Sequence, residues 1–158
     1  MISNLLLPHS FRRVGWILLI PATILGILVA FFDFEFSFLD CKVLALLSGQ
    51  LGENQWKFFN VVENNLTNEL AAILFIIAAW FVGFSKEKIE DEYISKIRLD
   101  ALLWATYISY AFLIFCFIFI YDFLFFRFMT VSLFSILIIF IIRFNILLYR
   151  SKKDGHEK

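Results

Sequence analysis

The sequence predicts an all-α membrane protein with four transmembrane helices, both termini inside, and a small subdomain in the loop that faces outward. Three observations predict it. Of the 158 residues, 61% are hydrophobic and the mean hydropathy is +0.83, whereas a soluble domain is about half apolar, so the excess has to face lipid. Four apolar runs meet or approach the roughly 20 residues that a span requires. Lys and Arg are also divided unequally between the segments joining those runs, the pattern that fixes orientation.

The first run, Val14 to Phe32, follows Arg12 and Arg13. Its apolar stretch is too long for a signal peptide and no small-residue cleavage pattern follows, so it is expected to be retained. Pro21, lacking an N–H, is expected to kink it. Ala22, Gly26 and Ala30 recur every four residues, as do Ala79 and Gly83 in the second run. Small faces of this kind predict that spans one and two pack together.

The outer segment, Asp33 to Thr67, is too long for a plain connection. Phe32, Phe34, Phe36 and Phe38 alternate with Asp33, Glu35 and Ser37, which predicts a short strand with one aromatic face. An apolar run from Val43 to Leu47 then precedes turn residues at Ser48, Gly49 and Gly52. The expectation is a lid on the outer membrane surface, its aromatic face against the helix ends. Asn65-Leu66-Thr67 matches a glycosylation pattern that occurs often by chance.

The second run, Asn68 to Phe84, is the shortest and holds Glu69 at its outer end. Ser85 to Asp100 contains no Gly or Pro and is expected to extend the third span, Ala101 to Ile120, as a charged inner helix. Lys88, Glu92, Lys96 and Asp100 would alternate in sign along one face. Ile89, Tyr93 and Ile97, joined by Ile94, would form a second, apolar stripe. Thr106, Tyr107, Ser109 and Tyr110 are a polar cluster in span three. A tight outer hairpin, in which Arg127 is expected to pair with Asp122, leads to the fourth span, Phe128 to Tyr149. Arg143 is expected to snorkel from that span to inner headgroups.

Eleven basic residues fall on one side (Arg12, Arg13, Lys86, Lys88, Lys96, Arg98, Arg143, Arg150, Lys152, Lys153 and Lys158) and three on the other (Lys42, Lys57 and Arg127). The first side is therefore expected to be cytoplasmic. Trp16, Trp80 and Trp104 fall at the same ends of their spans, where an indole anchors at the headgroups.

Chemistry-bearing patterns are sparse. The formal net charge is zero, which gives direct nucleic-acid binding no support. Cys41 and Cys116 form no CxxC or Cys/His metal spacing, and His9 and His156 lie in the two terminal segments without a nucleophile pattern, HExxH or a glycine-rich phosphate loop. No catalysis, metal or cofactor is expected.

Gly15-Trp16-Ile17-Leu18-Leu19-Ile20-Pro21, the junction Phe84-Ser85-Lys86-Glu87-Lys88 with Glu90-Asp91-Glu92, then Ile97-Arg98-Leu99, Trp104-Ala105 and Ile142-Arg143-Phe144 resemble an uncharacterised family of small four-helix membrane proteins from Bacteroidetes, over most of the chain. The genes of that family often stand near one for a helix-turn-helix regulator, so the resemblance implies a regulatory role and a regulator as partner.

The leading expectation is an interaction protein of the bacterial inner membrane, with the lipid bilayer as its first partner. It would sense through Asp33 to Thr67 and hold a cytoplasmic regulator through Glu87 to Arg98, with Ile89, Glu92, Tyr93, Lys96 and Ile97 as the partner-binding residues. One alternative is a transporter or channel subunit in which Glu69, Thr106, Tyr107 and Tyr110 meet the solute. Another is immunity to an envelope-directed toxin, and homo-oligomers are left open.

Overall fold

A computed structural model describes residues 6–48, 57–88 and 90–154. Among them the elements run α1 (Ser10–Phe32), a single 3-10 turn (Ser37–Leu39), β1 (Asp40–Ser48), β2 (Lys57–Asn65), α2 (Thr67–Gly83), α3 (Glu92–Phe119) and α4 (Asp122–Asp154). The chain is mostly helical, and α1, α3 and α4 are long and apolar enough to cross a membrane. The 17 residues of α2 are as apolar but shorter; at 1.5 Å per residue they rise about 26 Å.

Most of the apolar surface points outward. Ile17, Ile20, Ile24 and Ile27 on α1 and Phe115, Ile118 and Phe119 on α3 are exposed, far more than a water-soluble surface of this size tolerates in one patch. The interior is built from small residues instead. Ala22, Ala78, Ala79, Ala101 and Ala105 are fully buried and interleave with Phe75, Val82, Phe140 and Phe144. Such packing draws backbones together where hydrophobic burial gives no advantage over lipid.

α1 packs on α2, α3 on α4, and α2 on α4. The expected pairing of the first two helices is present, although the small residues divide the work differently. Ala22 and Ala79 are buried as expected, but Gly26 faces open space. Gly15 makes the close approach, since a Cβ there would meet Phe81 Cβ and the Val82 backbone nitrogen at 2.8 Å. At Gly83 a Cβ would lie 2.6 Å from Phe140 Cε1, so this glycine seats α4 rather than α1. α1 continues through Pro21 without a break.

Two expected elements form elsewhere. Phe34 to Phe36 has no strand partner among the described residues, and the chain turns at 37–39; the sheet forms downstream as an antiparallel hairpin in register from Asp40↔Asn65 to Ser48↔Lys57. The alternating phenylalanines pack on one another, with ring centroids 4.9 Å apart for Phe34 and Phe36 and 5.2 Å for Phe36 and Phe38. Gly49 and Gly52 lie outside the described residues. Phe38 is exposed, so no continuous aromatic face lies on the helix ends.

The inner helix begins at Glu92 and not at Ser85. Asp91 takes the N-cap position, and its Oδ1 accepts from Ile94 N at 2.8 Å, which satisfies a donor that an uncapped start would leave open. Lys88 therefore stands outside the helical row formed by Glu92, Lys96 and Asp100. At the other end of α3, Ile120 and Tyr121 turn the chain directly into α4, which begins at Asp122, earlier than expected.

Candidate functional site

The bundle has two polar ends. At the end that carries the N-terminal segment, the loop between α2 and α3 and the far end of α4, four charges are folded inward. Arg98, almost wholly buried, donates from Nη1 to Glu90 Oε1 at 3.0 Å and from Nη2 to Glu90 Oε2 and Ser85 O at 3.2 Å. Its guanidinium carbon stands 5.0 Å from the centroid of the Phe144 ring. Arg12 of α1 pairs with buried Glu87 and donates to Asn145 Oδ1 of α4 at 2.7 Å. The Glu87 amide donates to Glu90 Oε2 at 2.9 Å, which joins the two pairs.

The backbone completes this clamp. Leu7 N donates to Phe84 O at 2.9 Å, Lys86 N donates to Leu7 O at 2.8 Å, and His9 Nδ1 lies 2.9 Å from Lys86 O. Two positive and two negative groups thus neutralise one another across three chain segments, α1, the α2–α3 loop and α3, the condition under which buried charge is tolerated. The forked grip of Arg98 on one carboxylate is geometry that a lysine cannot reproduce. Beside the clamp, Arg143, one-third exposed, pairs with Asp100 of α3 at 3.2 Å and lies 4.7 Å over the Trp104 ring.

Of the expected partner-binding residues, Glu92, Tyr93 and Lys96 are exposed on the first turns of α3. Ile97 and Ile94 turn inward against the core, and Ile89 lies outside the described residues. Glu87 and Arg98, the limits of the expected docking segment, are buried in the clamp. The expected solute set is dispersed. Glu69 accepts from Asn64 Nδ2 at 2.8 Å at the hairpin end, the Thr106 hydroxyl bonds back to Leu102 O at 2.9 Å, and Tyr107 and Tyr110 face outward. Only Ser109 of that polar cluster joins two helices, accepting from the Ser135 hydroxyl at 3.1 Å.

At the opposite end a motif centred on Asn65 and Thr67 fastens the hairpin to the helices, beside the Asn64–Glu69 bond. Asn65 Nδ2 donates to Phe36 O at 2.9 Å and Asp40 Oδ1 at 2.6 Å, while its Oδ1 accepts from the amide of Thr67 at 3.0 Å and from the Thr67 hydroxyl. Thr67 Oγ1, fully buried, accepts in turn from Phe36 N at 3.0 Å. The sequon-like triplet therefore stitches the feet of the hairpin to the start of α2.

Arg127 bonds Asp33 rather than Asp122, with Nη2 at 2.6 Å from each carboxylate oxygen. Asp33 ends α1 in the left-handed region, φ 49° and ψ 39°, a position that normally goes to Gly. Asp122 is itself left-handed, φ 62°, at the entry to α4. Sequence proximity favoured Asp122, but the helix ends bring Asp33 to the arginine.

Neither a protein-family model, a curated protein nor a solved structure matches the chain. The class defined by the fold is therefore the coarse one, a helical protein with three helices long and apolar enough to cross a membrane.

Proposed function

We propose that this chain crosses the bacterial inner membrane four times, with the clamped end in the cytoplasm, and acts there as an interaction protein whose β1–β2 hairpin is the outer recognition element. The observation that carries the reading is the hairpin itself. Its two strands pair only with each other among the described residues, and Leu44, Leu46, Phe58, Phe59 and Val61 are exposed. A two-stranded ribbon is marginal alone in water, its unpaired edges invite another strand, and exposed apolar side chains of this density mark a contact surface.

On the cytoplasmic side, the surface left for a regulatory partner is Glu92, Tyr93 and Lys96, held rigid by the clamp behind it. Photo-crosslinking in cells from Leu44 and Phe58, with Tyr93 as the cytoplasmic position, tests the reading. Discrete protein adducts at the hairpin positions are expected. Adducts with lipid alone at Leu44 and Phe58 would reject the hairpin as a recognition element.

A further inference from the structure

α1 and α4 make little direct contact. They are bridged by Arg12 and Asn145 at one end and by Arg127 and Asp33 at the other, and a cavity of about 330 Å³ opens between them over α2 at the hairpin end. This volume is at the lower end of the range for ligand pockets, about 300–1,000 Å³. The walls are apolar, from Gly26, Ile27, Ala71, Phe75, Val131 and Phe134. Polar groups gather at the rim, where Asp33, Asn68, Arg127 and Thr130 stand. From Arg127 down to Ile138 the slot follows α4 for eleven residues, about 16 Å of helical rise. An apolar slot of this length with charge only at one end has the form of a hydrocarbon chain with a polar head.

The rim states which head. Arg127 and Asp33 are both partly exposed, 43% and 71%, so each keeps bonding capacity toward the outside. Around them the described residues at this end carry Asp33, Glu35, Asp40, Glu63, Glu69 and Asp122 against Lys42, Lys57 and Arg127, an acidic excess that disfavours an anionic headgroup. A carboxylate stands at Asp33 although its left-handed backbone costs a non-glycine residue about 1–3 kcal/mol.

We propose that this cavity binds one acyl chain of a zwitterionic phospholipid of the ethanolamine class, its phosphate on Arg127 and its ammonium on Asp33. A primary ammonium donates hydrogen bonds to the carboxylate, and a quaternary choline cannot. The inference rests on the membrane placement proposed above, and the two fail separately, since a chain outside the membrane would be released by alkaline extraction before any lipid is counted.

The test is native mass spectrometry of the full-length protein, delipidated in detergent and offered equal amounts of ethanolamine, choline and glycerol phospholipids. One ethanolamine lipid per chain is expected, retained at least about tenfold over the glycerol lipid. Gly26→Phe should abolish that adduct, because a side chain at Gly26 grows into open space. Arg127→Gln and Asp33→Asn, at exposed positions, should erase the headgroup preference. Equal retention of all three lipids, an undiminished adduct in Gly26→Phe, or an unchanged preference in Arg127→Gln would each overturn the proposal; the last decides the matter even if Gly26→Phe does not fold.

Discussion

The guanidinium of Arg98 is sandwiched between the carboxylate of Glu90, held by both Nη atoms at 3.0 and 3.2 Å, and the face of Phe144, 5.0 Å away. A residue at the start of α3 thereby fixes the preceding loop and the far end of α4 together. Arg98→Met should destabilise the protein by about 3–5 kcal/mol, because the mostly buried Glu90 carboxylate keeps only the Glu87 amide and loses its charged partner. Arg98→Met combined with Glu90→Leu should recover much of that loss. Denaturation in detergent followed by circular dichroism checks both, and equal destabilisation of the single and double variants would show that the pair is not the source of the effect.

Two glycines on one helix should respond oppositely. Gly15→Ala places a Cβ 2.8 Å from the backbone of α2, and the helices must separate, with a loss of about 1–3 kcal/mol. Gly26→Ala meets nothing within 4 Å and should gain up to about 1 kcal/mol from helix propensity. The same melts compare them, and a harmless Gly15→Ala would contradict the close approach of α1 and α2.

Thr67→Val keeps the shape of a fully buried side chain and removes the hydroxyl that accepts from Phe36 N and donates to Asn65. The loss is expected at about 1–3 kcal/mol, the cost of unpaired buried polar groups, and should be local. Hydrogen exchange should accelerate in residues 36–48 and 57–67 and remain unchanged at the clamp. Acceleration spread evenly through all four helices would refute a local fastening.

Ser135→Ala removes the one side-chain hydrogen bond between α3 and α4 in the apolar interior among the described residues. Interhelical hydrogen bonds of this kind contribute about 0.6 kcal/mol. A shift of that size in the same denaturation assay is expected, and a loss of several kcal/mol would assign Ser135 a larger part.

Much of the architecture was legible because it follows from periodicity and size. Each apolar run falls on one of the four helices, with bounds within four residues for α1 and α2, whereas α3 and α4 begin nine and six residues before their runs; Ala22 and Ala79 marked the contact between the first two. What escaped depends on groups distant in sequence. Arg12 read as an ordinary flanking charge and Glu87 to Arg98 as a docking segment open to a partner, since nothing local distinguishes a lysine or arginine that faces outward from one that folds inward onto a glutamate 75 residues away. The alternation of Phe34, Phe36 and Phe38 is the same in a paired strand and in a turn whose rings stack, and only the pairing partner decides. The Ile89, Tyr93 and Ile97 stripe assumed a helix running from Ser85; Asp91 caps the helix, so position 89 precedes it, and within α3 Ile97 packs against the core while Tyr93, one turn earlier, is exposed.

The short length of α2 has a consequence for the surrounding lipid. Placed in a bilayer, about 26 Å of helix meets a hydrocarbon layer of about 30 Å. α1 and α4 cover part of α2, so the mismatch is confined to its exposed strip, Leu70, Ile73, Ile76, Ile77 and Trp80. A bilayer that thins along one flank lowers its free energy when two such flanks meet. The lateral organisation of this protein would then follow membrane thickness, with molecules gathering through α2 in thicker bilayers and dispersing in thinner ones.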